Sequence, residues 1–228
     1  MKNLMKFLAP AGLAIAAVAA TAPAAAQVEG KVATANVSRA ILGTTAFQTA
    51  YQQVNTTYAA QLETRRTKQQ ELSTLLQPFD TNGNGQIEDP EIAALQAAPN
   101  VTQISTLEAE IAAISQQVNN ARIFAVEQIL NQYPTVLQTF AASQQIQMIL
   151  QPEAIQFALE GADVTPQLVT ALNTAVPAVN IVPPADYRPS RQGAQVFQEI
   201  QQYLVTAQRI QQQQAAQQQQ GNTQAPGR

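Results

Sequence analysis

The residues best suited to chemistry lie in one short run: Asp80-Thr81-Asn82-Gly83-Asn84-Gly85-Gln86-Ile87-Glu88-Asp89-Pro90-Glu91. The run fits the D-x-[DN]-x-[DN]-G-x5-E spacing of a calcium-binding EF-hand loop. Ca²⁺ takes several hard oxygens in a flexible shell. Asp80, Asn82 and Asn84 would offer side-chain oxygens. Gly85 permits the sharp turn. Gln86 would give a backbone carbonyl, Glu88 a direct or water-bridged oxygen, and Glu91 two oxygens at once. Ile87 stands where such loops carry an apolar residue, and Asp89 is expected to cap the exit helix, with Pro90 at its first position. With at most three carboxylates, the expected affinity is weak, about 10⁻⁴ to 10⁻³ M. The competing reading is a Gly/Asn-rich turn between helices that binds nothing.

The elements around this run predict where it sits. Before it, from Ser38 (the expected N-cap) to Leu76, the chain has one Gly, Gly43, and no Pro. Phe47, Tyr51, Val54, Tyr58 and Leu62 recur at helical steps, and Leu72, Leu75 and Leu76 resume the stripe. One helix over 38–76 is expected, close to 60 Å long at ~1.5 Å per residue. After the run, Ile104, Leu107, Ile111, Ile114, Val118, Ala121 and Ala125 alternate steps of three and four, the seam of a coiled coil. Thr102 is expected to cap this helix, and Pro134 to kink or break it before about Ala142. Two helices of similar length around a central break predict an antiparallel hairpin. The metal-like loop falls at its tip.

Other periods flank the hairpin. Lys31 to Val37 reads as a short strand. Ile146–Leu150 and Ala154–Leu159, around Gln151-Pro152-Glu153, read as a β-hairpin. Thr165-Pro166 opens a short helix to about Ala175, and 179–182 reads as a last strand. The fold class is therefore α+β: a long antiparallel coiled-coil arm, 38–142, on a small β body, 27–37 and 143–185. The segment 186–228 is a tail with 15 Gln in 192–228. A helix is expected over its apolar residues to about Ile210, and disorder in 211–228.

Composition excludes whole classes of chemistry. There is no His and no Cys, which removes the usual general base, most zinc sites and any disulfide. Glu108 and Glu110 lie two residues apart on a helix and face different ways. No enzyme is expected. Lys2 and Lys6, the apolar run from Leu8, and Ala24 and Ala26 before Gln27 read as a cleaved signal peptide over 1–26. Without Lys2 and Lys6 the chain carries 10 basic against 15 acidic residues, net −5. That balance argues against nucleic acid. No later stretch suits a membrane-spanning helix, so a soluble chain with at most peripheral membrane contact is expected.

The order of parts, with Lys31-Val32-Ala33-Thr34-Ala35-Asn36-Val37-Ser38 at the start and Met148 to Phe157 and Asp163 to Asn173 at the end, resembles the Skp/OmpH family of periplasmic chaperones over residues 31–173. The resemblance implies a trimer whose short strands share a β body and whose arms project like tentacles. It implies ATP-independent holding of unfolded outer-membrane β-barrel proteins in the periplasm. It assigns no catalytic residue, and no client-binding residue is named. The sequence pI near 5.0 departs from the basic arms of the family. The alternative is a coiled-coil scaffold of the envelope, possibly modulated by calcium.

Overall fold

The computed structural model describes residues 30–223; the expected signal peptide, 1–26, lies outside them. Strand β1, Lys31–Thr34, leads into α1, Val37–Gly43, α2, Thr45–Thr57, and α3, Ala59–Leu76. A 3₁₀ turn, Gln77–Phe79, precedes the tip loop and α4, Asp89–Gln96. The return helix α5, Val101–Ser143, delivers the chain to β2, Ile146–Leu150. Then follow α6, Thr165–Ala175, and α7, Arg191–Thr223.

The arm is a hairpin, as its periods predict. Every residue of the expected α5 seam is buried or half-buried. Polar pairs fix the antiparallel register. Arg122 donates to Asn55 at 3.0 Å and lies 4.8 Å from the Tyr51 ring centre. Farther out, Lys68 meets Glu110 at 2.7 Å and Gln103 donates to Glu71 at 3.1 Å. α3 buries no residue fully, so the outer arm is only two helices thick.

The expected single helix over 38–76 is three. Thr44 ends α1 and starts α2: its hydroxyl donates to the Ile41 carbonyl at 2.7 Å and accepts from the Phe47 N–H at 3.2 Å. A Thr that serves both helix ends divides them. Tyr58, at φ −99° and ψ 19°, marks a second discontinuity. The first cap is Asn36, not Ser38: the Asn36 Oδ1 accepts from the Arg39 N–H at 2.8 Å. Asn100, without a side-chain bond, holds the cap position expected of Thr102. Pro134 neither breaks nor ends α5, which runs through it to Ser143.

The expected β-hairpin does not form. β2 pairs in parallel with β1, with Val32 opposite Met148, Ala33 opposite Ile149 and Thr34 opposite Leu150. Parallel strands need a long crossover, and here the whole arm is that crossover. Gln145, at φ 55°, makes the turn from α5 into β2, the left-handed position that commonly ends a helix. Pro152–Ala154 is a 3₁₀ turn, and neither 155–159 nor 179–182 is a strand.

The segment 186–228 departs most from expectation. α7 is helical to Thr223, past the Ile210 limit expected; 224–228 lie outside the described residues. Its Val196, Phe197 and Ile200 are buried in the main core with Ile41, Phe47, Val126, Ile129 and Leu172. A second cluster, Ala33, Ala35, Val164 and Leu168, seats the sheet on α5 and α6. A third, Val54, Tyr58, Val118 and Ala121, closes the root of the arm.

Candidate functional site: the arm tip and the body edge

The tip loop is ordered by its own polar side chains. Asp80 accepts from the Asn84 N–H at 3.1 Å and the Gly85 N–H at 2.7 Å. Asn82 Oδ1 also accepts from the Asn84 N–H, at 2.9 Å, and Asn84 Oδ1 from the Gln86 N–H, at 2.7 Å. Asn and Asp side chains make such local turns readily. Gly83 and Gly85 hold φ of 70° and 79°, the left-handed region that glycine enters without steric cost.

Glu88 and Glu91 are held elsewhere. Glu88 accepts from the Asn84 amide at 3.0 Å and the Asn82 amide at 3.3 Å. Glu91 is only 6% exposed. One of its oxygens accepts from the Thr81 N–H and hydroxyl, both at 2.7 Å, and the other from the Glu88 N–H at 3.0 Å. The Glu88 N–H, then the Thr81 hydroxyl, outweigh burial and hold the Glu91 carboxyl below its ordinary pKa. Glu88 rather than Asp89 occupies the cap position of α4, with Pro90 in the first turn.

The structure thus brings Asp80, Asn82, Asn84, Gln86 and Glu88 into one hydrogen-bonded loop and turns Glu91 into its wall. Among the described residues, no three His, Cys, Asp or Glu side chains gather closely enough to hold a metal ion. To ligate a cation, Glu88 and Glu91 would have to exchange these bonds for it.

The body edge has a different character. Phe157 is 82% exposed and Leu159 75%, on a chain segment that belongs to no strand. Beside them Arg39 pairs with Asp163 at 3.3 Å. Burial pushes the Asp163 carboxyl up, but hydrogen bonds from Thr165 and the Arg39 charge bring it below its ordinary value. Large apolar side chains this exposed, next to a two-stranded sheet, form an adhesive edge. These residues belong to the expected second strand of a hairpin; their alternation is real, but among the described residues they pair with no strand.

Sequence reasoning also missed Glu127. Its two carboxylate oxygens accept from the Tyr187 hydroxyl and the Ser190 N–H, each at 2.7 Å. Those partners lie 60 and more residues away, so no local spacing could reveal them. Among the described residues no helix is long and apolar enough to cross a membrane.

The sequence matches the family of outer membrane proteins (OmpH-like) over residues 31–172, more than half of the chain. Among curated proteins none matches. A crystal structure of an OmpH-like chain from Caulobacter crescentus, described as a candidate outer membrane chaperone, is 18% identical. It covers 78% of this chain and 96% of its own, with a TM-score of 0.40. That likeness is too loose to add to the family match.

Proposed function

Because the chain belongs to the outer membrane protein (OmpH-like) family, we propose that it is a periplasmic, ATP-independent chaperone that holds unfolded outer-membrane β-barrel proteins in transit. The observation that carries this reading is the arm. It is a long, thin helical hairpin rooted in a packed body, with side chains that pair the two helices and no buried residue on α3. Such an arm offers a long surface for many weak contacts, which hold a client without trapping it. The exposed Phe157 and Leu159 support a trimer in which each body edge is covered by a neighbour.

The test is dilution of a denatured porin into the exported form, residues 27–228, with light scattering followed. Suppressed scattering for several unrelated porins is the expected result. Unhindered aggregation, together with capture of one folded envelope protein, would instead favour a scaffold.

A calcium-stiffened tip is a second, narrower reading, favoured by the inward-turned oxygens of Asp80, Asn82 and Asn84. Calorimetric titration should then give heat in the millimolar range that Asp80→Asn and Glu91→Gln abolish. No heat with the unaltered chain ends this reading.

A further inference from the structure

The family match ends at residue 172, and the next segment is not free. It runs out along α5, turns, and comes back. Asn180 is fastened by both backbone groups to the Gln128 side chain, at 2.9 and 2.8 Å. Ile181 packs against the arm-root cluster of Val54, Tyr58, Val118 and Ala121. Val182, Pro183 and Pro184 line one cavity of about 450 Å³ with Tyr58, Gln116 and Asn120. The turn closes with the Tyr187 N–H donating to the Pro184 carbonyl at 3.0 Å. On the way back, the Tyr187 ring meets Phe124 edge-on at 5.1 Å. The Tyr187 hydroxyl and the Ser190 N–H then end on Glu127. Ser190 caps α7 by accepting from the Gly193 N–H at 3.0 Å, and α7 is locked into the core.

This strap therefore spans from the body to the place where the outgoing arm is discontinuous. Tyr58 sits between α2 and α3 with non-helical ψ, and the strap presses on the same cluster from the α5 side. We infer that residues 176–190 form a brace that clamps the arm root to the body, keeps the α2–α3 junction closed against α5, and leaves flexion to the outer arm. The physical reason is the division of packing. Inside the clamp, Val54 and Val118 are fully buried and Ile181 of the strap packs against them; beyond it, α3 has no buried residue and the arm's apolar packing falls to α5 side chains such as Ile104 and Leu107. Glu127 and Gln128 are the positioning residues, holding the strap at its two crossings of α5. The inference goes beyond the chaperone reading and does not depend on it.

Hydrogen–deuterium exchange on residues 27–228 tests the brace without any client. Two variants, Tyr187→Phe and Gln128→Ala, are read separately and together. Each removes hydrogen bonds at one crossing and leaves the core side chains in place, so that a failure of one variant to fold leaves the other as the test. The double variant should speed exchange about tenfold in peptides from 176–190, 50–60 and 113–124, because local opening there no longer has to break these bonds. Peptides from α6 should be unchanged. Faster exchange in 176–190 alone would overturn the inference, since the strap would then only lie on the arm. Equal acceleration in α6 would overturn it as well, since the strap would then secure the whole fold rather than the arm root.

Discussion

Glu91 shows how one side chain can order the tip through the loop's own donors. Its carboxylate ties the start of the loop, at Thr81, to the start of α4, at Glu88. Those donors favour the charged form, which is why the group sits below the ordinary value of 4.5. A depressed carboxylate contributes stability that is present above the unfolded pKa and is lost as pH falls through the folded one. The amides of Thr81 and Glu88 should therefore keep constant protection from neutral pH down to about 5 and lose it only in more acid solution. Exchange measured by NMR checks this. In Glu91→Gln the acid-induced step should vanish. A step setting in near pH 6 would contradict the assignment. The tip was legible in the sequence because every bond that shapes it is local: Asx turns, two glycines, and a carboxylate reaching back within the loop. Glu127 was not, because its charge is used across a gap that only the tertiary fold closes.

At the scale of elements, the seam from Ile104 to Ala125 was readable because a helix that packs along one stripe must repeat every 3.5 residues, whatever its partner. Strand pairing left no such mark. An apolar run such as Ile146–Leu150 announces a strand but not its neighbour, and the neighbour is β1, at the far end of the crossover. The helix expected over Val196, Phe197 and Ile200 is there, with these residues on one face; its reach beyond Ile210 was not legible, because the glutamines there look like low complexity, yet glutamine is a good helix former. Ile200 is 0% exposed. Truncation of such a residue leaves a cavity as well as losing burial, so Ile200→Ala should cost about 2–5 kcal/mol. Urea unfolding followed by circular dichroism measures it. A loss below about 0.5 kcal/mol would mean that α7 is an appendage and not part of the body. The Lys68–Glu110 pair, by contrast, is partly exposed and adds register more than stability.

At the scale of the whole molecule, the body and the arm make different demands. The body is packed by α1, α2, α5, α6 and α7, and needs no second copy to have a core. Its two-stranded sheet is seated on α5 and α6, as so small a sheet must be, while Phe157 and Leu159 are left in water beside it. In the proposed trimer, replacing both by Ser should leave the helical content intact and shift the assembly toward monomer, as read by sedimentation velocity. An unchanged assembly would place the contact elsewhere. The family likeness was visible from the order of elements, and the acidic balance was equally visible. In the proposed chaperone, attraction to clients rests on apolar contact rather than charge, so holding should weaken little as salt rises to 0.5 M, where the screening length is about 4 Å.

The most direct test of the central claim is the mass of the complex that residues 27–228 form with a denatured porin, read by size-exclusion chromatography with multi-angle scattering. The expected result is a soluble species of three copies around one client, formed without ATP. A chain that elutes alone while the porin precipitates would contradict it and leave the family membership as a statement about fold.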